Sequence, residues 1–266
     1  MLVRSRCYAT GQILKCMSRN VSTGTRTVDP VEVATFERLS HEWMDEEGHF
    51  KPLHSYNRLR VPWIVNGLGR DTVPKALEGL KIVDVGCGGG LLSIPLARLG
   101  AQVDGIDLSH QALRVAEYSC KKTLKDIGKN LKFYNSTVED FSINNQGKYD
   151  AVVASEIIEH VSDLSTFLDG CVRLCKRGAP LFFTTINKTI TSRIFAIWLA
   201  ENVLGIVPPG VHDWEKLVEP EKLHRGLEER NCRVSKPLGV VYNPVTNRWS
   251  WSGFDLVNYA VIAKRS

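Results

Sequence analysis

No stretch of this 266-residue chain reaches the ~18 consecutive apolar residues that a membrane-spanning helix needs, so no span is expected. There is no Cys-x-x-Cys pair. Of the seven cysteines, Cys7 and Cys16 lie near the start, and the remaining five are scattered and odd in number, which argues against a disulfide framework or a zinc site. Cys171 and Cys175, at i and i+4, share a helix face and read as core. Acids are missing before Asp29, where Arg4, Arg6, Lys15, Arg19 and Arg26 are the only charged residues. Setting those five aside leaves 29 basic against 29 acidic residues, so the formal charge of +5 belongs to the leader and lends no support to nucleic-acid binding. The leader is rich in Ser and Thr and lacks the unbroken apolar core of a secretory signal. Residues 1–28 are therefore expected to be a mitochondrial transit peptide, followed by one domain over 29–266.

What the chain does have is concentrated in LKIVDVGCGGGLLSIPLARLGAQVDGID, residues 80–107. Leu80 to Val85 reads as a buried strand, Gly86 to Gly90 as a tight loop, and Leu91 to Leu99 as a helix that Gly100 stops. Ala101 to Ile106 is a second strand, ending on Asp107. This is the nucleoside-binding half of a doubly wound sheet. The glycines at 86, 88, 89 and 90 do not follow the GxGxxG spacing that seats a pyrophosphate, and Asp84 would repel one. S-adenosylmethionine (SAM) carries no phosphate, has an α-amino group that suits Asp84, and offers ribose hydroxyls to Asp107. The Gly86–Gly88 loop and Asp107 are therefore expected to bind SAM.

Ahead of this unit, Val31 to Trp43 has helical apolar spacing, and the segment from Glu46 to Ile64 reads as a lid over the cofactor cleft. Within it Arg60 is either a clamp for the methionine carboxylate, which a guanidinium grips in a bidentate fork, or a solvated surface arginine. After Asp107 come a helix from His110 to Lys125 and a strand from Leu131 to Asn135. Glu139 and Asp140 follow, either beside the adenine or as ordinary loop acids. A strand over Tyr149–Ala154, a helix over Asp163–Cys175 and a strand over Pro180–Ile186 complete the alternation that implies a parallel sheet. Residues 188–207 interrupt it with an apolar stretch flanked by cations. It is either a buried helix or one lying in a membrane interface, and it is too short to span. A helix over Pro220–Glu229 and strands near Gly239–Tyr242 and Val257–Ala263 close the chain.

If residues from Glu156 onward are helical, Glu156, Glu159 and His160 fall at i, i+3 and i+4 on one face. Two carboxylates and an imidazole can hold a divalent cation that lowers the pKa of a catechol and fixes the line of methyl transfer. Two other readings stand beside this one, His160 as a lone general base and all three as loop anchors.

With these residues assembled, the chain resembles the ubiquinone-biosynthesis O-methyltransferases. The resemblance rests on FKPLH (Phe50 to His54) with Asn57 and Arg60, on LKIVDVGCGGG, on Glu156-x-x-Glu-His160, on Val207-Pro with Gly210 and His212-Asp213, and on YNPVTN with Asp255-x-Val-Asn-Tyr259. It implies an α/β, Rossmann-like SAM-dependent methyltransferase fold: a mostly parallel seven-stranded sheet with helices on both faces, an N-terminal helical extension and an apolar insertion after strand 5. It further implies SAM contacts at Arg60, Gly86, Asp107 and Ser155, and divalent-metal ligands at Glu156, Glu159 and His160; Mg²⁺ is the first expectation, and His160 is also expected to be catalytic. The implied substrates are polyprenylated catechols and quinols. The implied setting is the matrix face of the mitochondrial inner membrane, with peripheral contact through residues 188–207, in a multiprotein ubiquinone-synthesis complex. Two alternatives differ in kind: a methyltransferase of a soluble phenol, and a non-catalytic SAM-fold subunit.

Overall fold

The computed structural model describes residues 30–123, 128–188 and 217–266. The leader at 1–28 and all of the 188–207 segment except Lys188 lie outside the described residues, as do Val207-Pro, Gly210 and His212-Asp213. Five parallel strands form the body of one sheet: β1 (Lys81–Val85), β2 (Gln102–Asp107), β3 (Leu131–Asn135), β4 (Ala151–Ser155) and β5 (Pro180–Ile186). Their spatial order is β3-β2-β1-β4-β5, so the chain reverses direction across the sheet on passing from β3 to β4. The crevice beside β1 is the switch point at which doubly wound sheets hold their ligands.

Four further strands are β6 (Cys232–Val234), β7 (Leu238–Asn243), β8 (Arg248–Ser252) and β9 (Asn258–Arg265). β9 lies antiparallel to β5, β6 and β7 both pair with β9, and β8 closes a hairpin on β7 at the sheet edge. The expected seven-stranded sheet thus has nine strands among the described residues. β6 is only three residues long and the Arg-Trp-Ser-Trp-Ser of β8 carries too little aliphatic signal to read as a strand, which is why both escape a periodicity argument.

Helices cover both faces. On one face lie α2 (Lys51–Gly67), α3 (Ser93–Arg98) and α4 (His110–Thr123), over a core that includes Tyr56, Trp63, Ile82, Leu96 and Phe182. On the other lie α5 (Val138–Ile143), α6 (Leu164–Leu174) and α7 (Pro220–Glu228), over Val83, Val85, Phe167, Phe183 and Leu227. Alternation along each strand sends successive side chains to opposite faces, so each strand feeds both cores. Each large side chain buried this way contributes roughly 1.5–3 kcal/mol.

The N-terminal extension begins with α1 (Pro30–Leu39) and a 3₁₀ turn at Ser40–Glu42. The segment expected to be a lid is instead α2, laid against the sheet: Trp63 meets Phe182 edge-on, and Tyr56 stacks on Trp249 at 4.4 Å between centroids. Trp249 also donates its indole N–H to the Pro52 carbonyl at 2.8 Å, fastening edge strand β8 to the helix. No described helix is long and apolar enough to cross a membrane.

Candidate active site at the tips of the parallel strands

The loop after β1 is built from backbone that only glycine takes up easily: φ is +74° at Gly86 and +51° at Gly88. Space is as tight as the torsions. A Cβ at Gly86 would stand 2.6 Å from Ile157, and one at Gly88 2.6 Å from the Trp43 indole. Asp107, at the tip of β2, accepts the Gly88 and Ser109 amide protons, each at 2.8 Å. Burial raises the Asp107 pKa; these backbone donors, and more weakly His160, oppose the rise. Because a carboxylate offers about four lone-pair sites, two amides leave room for ribose hydroxyls.

A cleft opens over this loop. Gly86, Gly88 and Asp107 line it, as do Ser136, Thr137 and Val138 after β3, and Glu156 and His160 after β4. Trp43 also lines the cleft, covering the loop from the N-terminal extension. Its ring stacks on Phe50 at 3.8 Å, and His54 Nε2 lies 2.9 Å from its carbonyl oxygen. The covering element is therefore Trp43, whose helical spacing in the sequence marks it only as a core position. Glu139 and Asp140 sit in the first turn of α5, where Thr137 caps the helix by accepting the Asp140 amide proton at 3.1 Å, so they are helix-terminal acids.

Arg60 and Ser155 do not line the cleft but meet behind it. Arg60, 4% exposed, donates Nε–H to Asn57 Oδ1 at 2.7 Å and Nη1–H to Ser155 Oγ at 2.8 Å. Asn57 in turn donates to the Leu91 carbonyl at 2.7 Å, tying α2 to the glycine loop. The solvated-surface alternative for Arg60 is thereby removed. Asp84 is buried too, accepting the Ser93 hydroxyl proton at 2.5 Å, and burial pushes its carboxyl up to about 6.

The helical face expected for Glu156, Glu159 and His160 does not form. Glu156 has φ +55°, in the left-handed region, and only Ile158–His160 makes a single 3₁₀ turn. Glu156 Oε1 accepts from the Thr184 hydroxyl and Glu159 Oε2 from the Thr185 hydroxyl, both at 2.7 Å. Burial first, and then the Glu159 charge, raises the Glu156 pKa. Among the described residues no three His, Cys, Asp or Glu side chains converge on one point. Thr184 and Thr185 were missed in the sequence because two threonines in a strand look like ordinary β-formers.

A family model described as a methyltransferase domain matches residues 83–183. The magnesium protoporphyrin IX methyltransferase of Synechocystis PCC 6803, solved with bound SAH, superposes with a TM-score of 0.61 at 21% identity, over 88% of this chain and 94% of that one. Fold and cleft together define a SAM-dependent methyltransferase. The mitochondrial ubiquinone biosynthesis O-methyltransferase of Homo sapiens is 45% identical over 255 residues, 94% of this chain and 68% of its own length. That of Methylobacterium sp. (strain 4-46) is 41% identical over 90% of this chain and 96% of its own length. The chain belongs to the ubiquinone biosynthesis O-methyltransferase family.

Proposed function

We propose that the enzyme transfers the methyl group of SAM to a phenolic oxygen of catechol-type polyprenyl intermediates, 3,4-dihydroxy-5-polyprenylbenzoate and demethylubiquinol. The observation that carries this reading is that one cleft joins the ribose-side carboxylate, Asp107, to Glu156 and His160. Asp107 accepts from the ribose hydroxyls, and the Gly86–Gly88 backbone lies along the cofactor. Arg60 is assigned to the methionine carboxylate, which it meets only where the amino-acid end of the cofactor reaches past the cleft lining; Asn57 and Ser155 hold its guanidinium in place. The acceptor oxygen attacks the methyl carbon, the carbon–sulfur bond breaks, and the phenolic proton leaves to solvent, or to His160 when its imidazole holds no ion.

The Glu156, Glu159 and His160 set has the donor types of a divalent-cation site such as one for Mg²⁺, two carboxylates and an imidazole, and the Glu159 charge opposes that of Glu156, but among the described residues the three side chains do not converge on one point. These three residues would hold the ion, which when bound lowers the pKa of the catechol hydroxyls. In the same reading residues 1–28 direct import into mitochondria. Residues 188–207 contact the matrix face of the inner membrane, and the enzyme works within a multiprotein ubiquinone-synthesis complex.

The test is an assay with SAM and a short-chain prenyl dihydroxybenzoate, with and without Mg²⁺. The double variant Glu159→Ala/His160→Ala should lose turnover and keep SAH affinity within about threefold of the parent. Full activity in that variant, or under a strong chelator, would refute the roles given to these residues.

A further inference from the structure

We infer that Trp43 is a further cofactor-contact residue, meeting the ribose of SAM, and that Phe50 and His54 are positioning residues that hold its indole there. The inference rests on the ribose role proposed for Asp107 and not on the identity of the acceptor. None of Phe50 to His54 lines the cleft, so the FKPLH motif takes no direct part in binding. What it reaches is Trp43. Phe50 stands at the N-cap of α2, and His54 follows one turn on, its amide donating to the Phe50 carbonyl at 3.1 Å. Residues four apart share a helix face, and both side chains on this face are spent on Trp43. The Phe50 ring lies within 4° of parallel to the indole. His54 donates its Nε2 proton to the Trp43 carbonyl at 2.9 Å, since a carbonyl can only accept.

The chain on either side of Trp43 is fixed as well. Ser40 Oγ donates to Gln111 Oε1 in α4 at 3.1 Å. The Glu42 carboxylate takes the His49 amide proton at 3.3 Å and also meets the His49 imidazole. Trp43 and Phe50 close with Leu91 and Ala112 into a third buried cluster, which contains no strand residue. The two larger cores fasten helices to the sheet; this one fastens the N-terminal extension to the glycine loop and α4.

The indole runs along the loop in a definite sense. Its Cβ lies at the Gly89 end, 2.4 Å from where a Gly89 Cβ would stand, and its Cζ2 and Cη2 atoms lie 2.6 Å from a Cβ at Gly88. Gly88 is the residue whose amide proton Asp107 accepts. The far end of the ring therefore borders the same space as that carboxylate, and both line the cleft. With Phe50 on one face, the indole offers the cleft its other face and its rim. The rim of an aromatic ring is the positive end of its quadrupole, which suits the oxygens of a ribose. The ring also keeps water from the hydrogen bonds of Asp107, and a drier site strengthens them.

The experiment titrates the full chain and its variants with SAH and with methylthioadenosine, which keeps ribose and adenine but lacks the amino-acid end. Heat and tryptophan emission are both followed. Trp43→Ala should weaken both ligands about tenfold, and Trp43→Phe about threefold. Phe50→Ala and His54→Ala should each weaken them about fivefold, while His54→Gln, whose amide can still donate, should stay within about twofold of the parent. SAH should change the emission of the parent but not that of Trp43→Phe. If Trp43→Ala fails to fold, Trp43→Leu takes its place. Parent-like affinity in that variant, or an emission change that survives in Trp43→Phe, overturns the contact. A loss for SAH with none for methylthioadenosine overturns its placement at the ribose. His54→Gln as weak as His54→Ala overturns the positioning role of His54. Parent-like binding of both ligands by Asp107→Ala overturns the ribose reading of Asp107 itself, and the placement with it.

Discussion

Asp107 accepts the amide protons of Gly88 and Ser109 at 2.8 Å each, so one carboxylate at the tip of β2 fixes the loop at the tip of β1 and the start of the chain leading into α4. Asp107→Ala removes both bonds together with the acceptor proposed for the ribose. SAH affinity should fall about 100-fold, equivalent to about 2.7 kcal/mol. Asp107→Asn, which keeps one acceptor oxygen, should lose less. An alanine variant that binds SAH as the parent does would show that the loop keeps its shape without this carboxylate.

Trp43 and the glycine loop should behave as one energetic unit. A Cβ at Gly89 would lie 2.4 Å from the Trp43 Cβ. Gly89→Ala is therefore expected to cost about 1–3 kcal/mol through overpacking. Adding Trp43→Gly removes that Cβ, and the ring with it, so the two costs should fall short of additive by about 0.5–3 kcal/mol. Urea unfolding of the four proteins measures the difference, and additivity within about 0.5 kcal/mol would mean that Trp43 does not rest on the loop.

The buried Asp84 carboxyl makes the fold sensitive to pH in an unusual direction. Burial raises it from 3.8 to about 6, against the smaller opposing effects of Ser93 and Arg60. Folding therefore favours its protonated form, so its cost is absent below about pH 4, grows between 4 and 6, and is fully present above. Asp84→Asn should stabilise the ligand-free protein by up to about 3 kcal/mol at pH 8, with the gain vanishing near pH 4. The same change should weaken SAM binding. Denaturant titrations from pH 4 to 8 decide it; a gain equal at both ends would remove Asp84 as the titrating group.

The strand, glycine loop, helix and strand of residues 80–107 were legible because each element carries its own local signal: β-branched runs, consecutive glycines and helical spacing. β1 and β2 fall within a residue or so of the expected ranges, and Asp107 lands at the strand tip. The features that were not legible depend on partners distant in the chain. Glu156 adopts left-handed backbone because Thr184 holds it from another strand, and no pattern within residues 155–160 announces that. Trp43 covers the loop through its stack on Phe50 and its contact with His54. The α2 segment, dense in His, Arg and aromatics, reads in the sequence as a lid over the cofactor cleft. Its Tyr56 and Trp63 are instead matched to Trp249 and Phe182, which the periodicity of α2 alone cannot reveal.

The grip of Trp249 on Pro52 spans 197 positions of chain. The helix that carries Asn57 and Arg60 is made early during synthesis, but its outer covering strand is made almost last. A ribosome-bound chain can assemble β1 to β4 while α2 still exposes Tyr56 to water. Contacts this remote in sequence close slowly, because a long loop must be ordered first. Completion of the packing around α2 is thus a late event in the life of a nascent chain, and the half-made enzyme presents an aromatic surface that invites a chaperone.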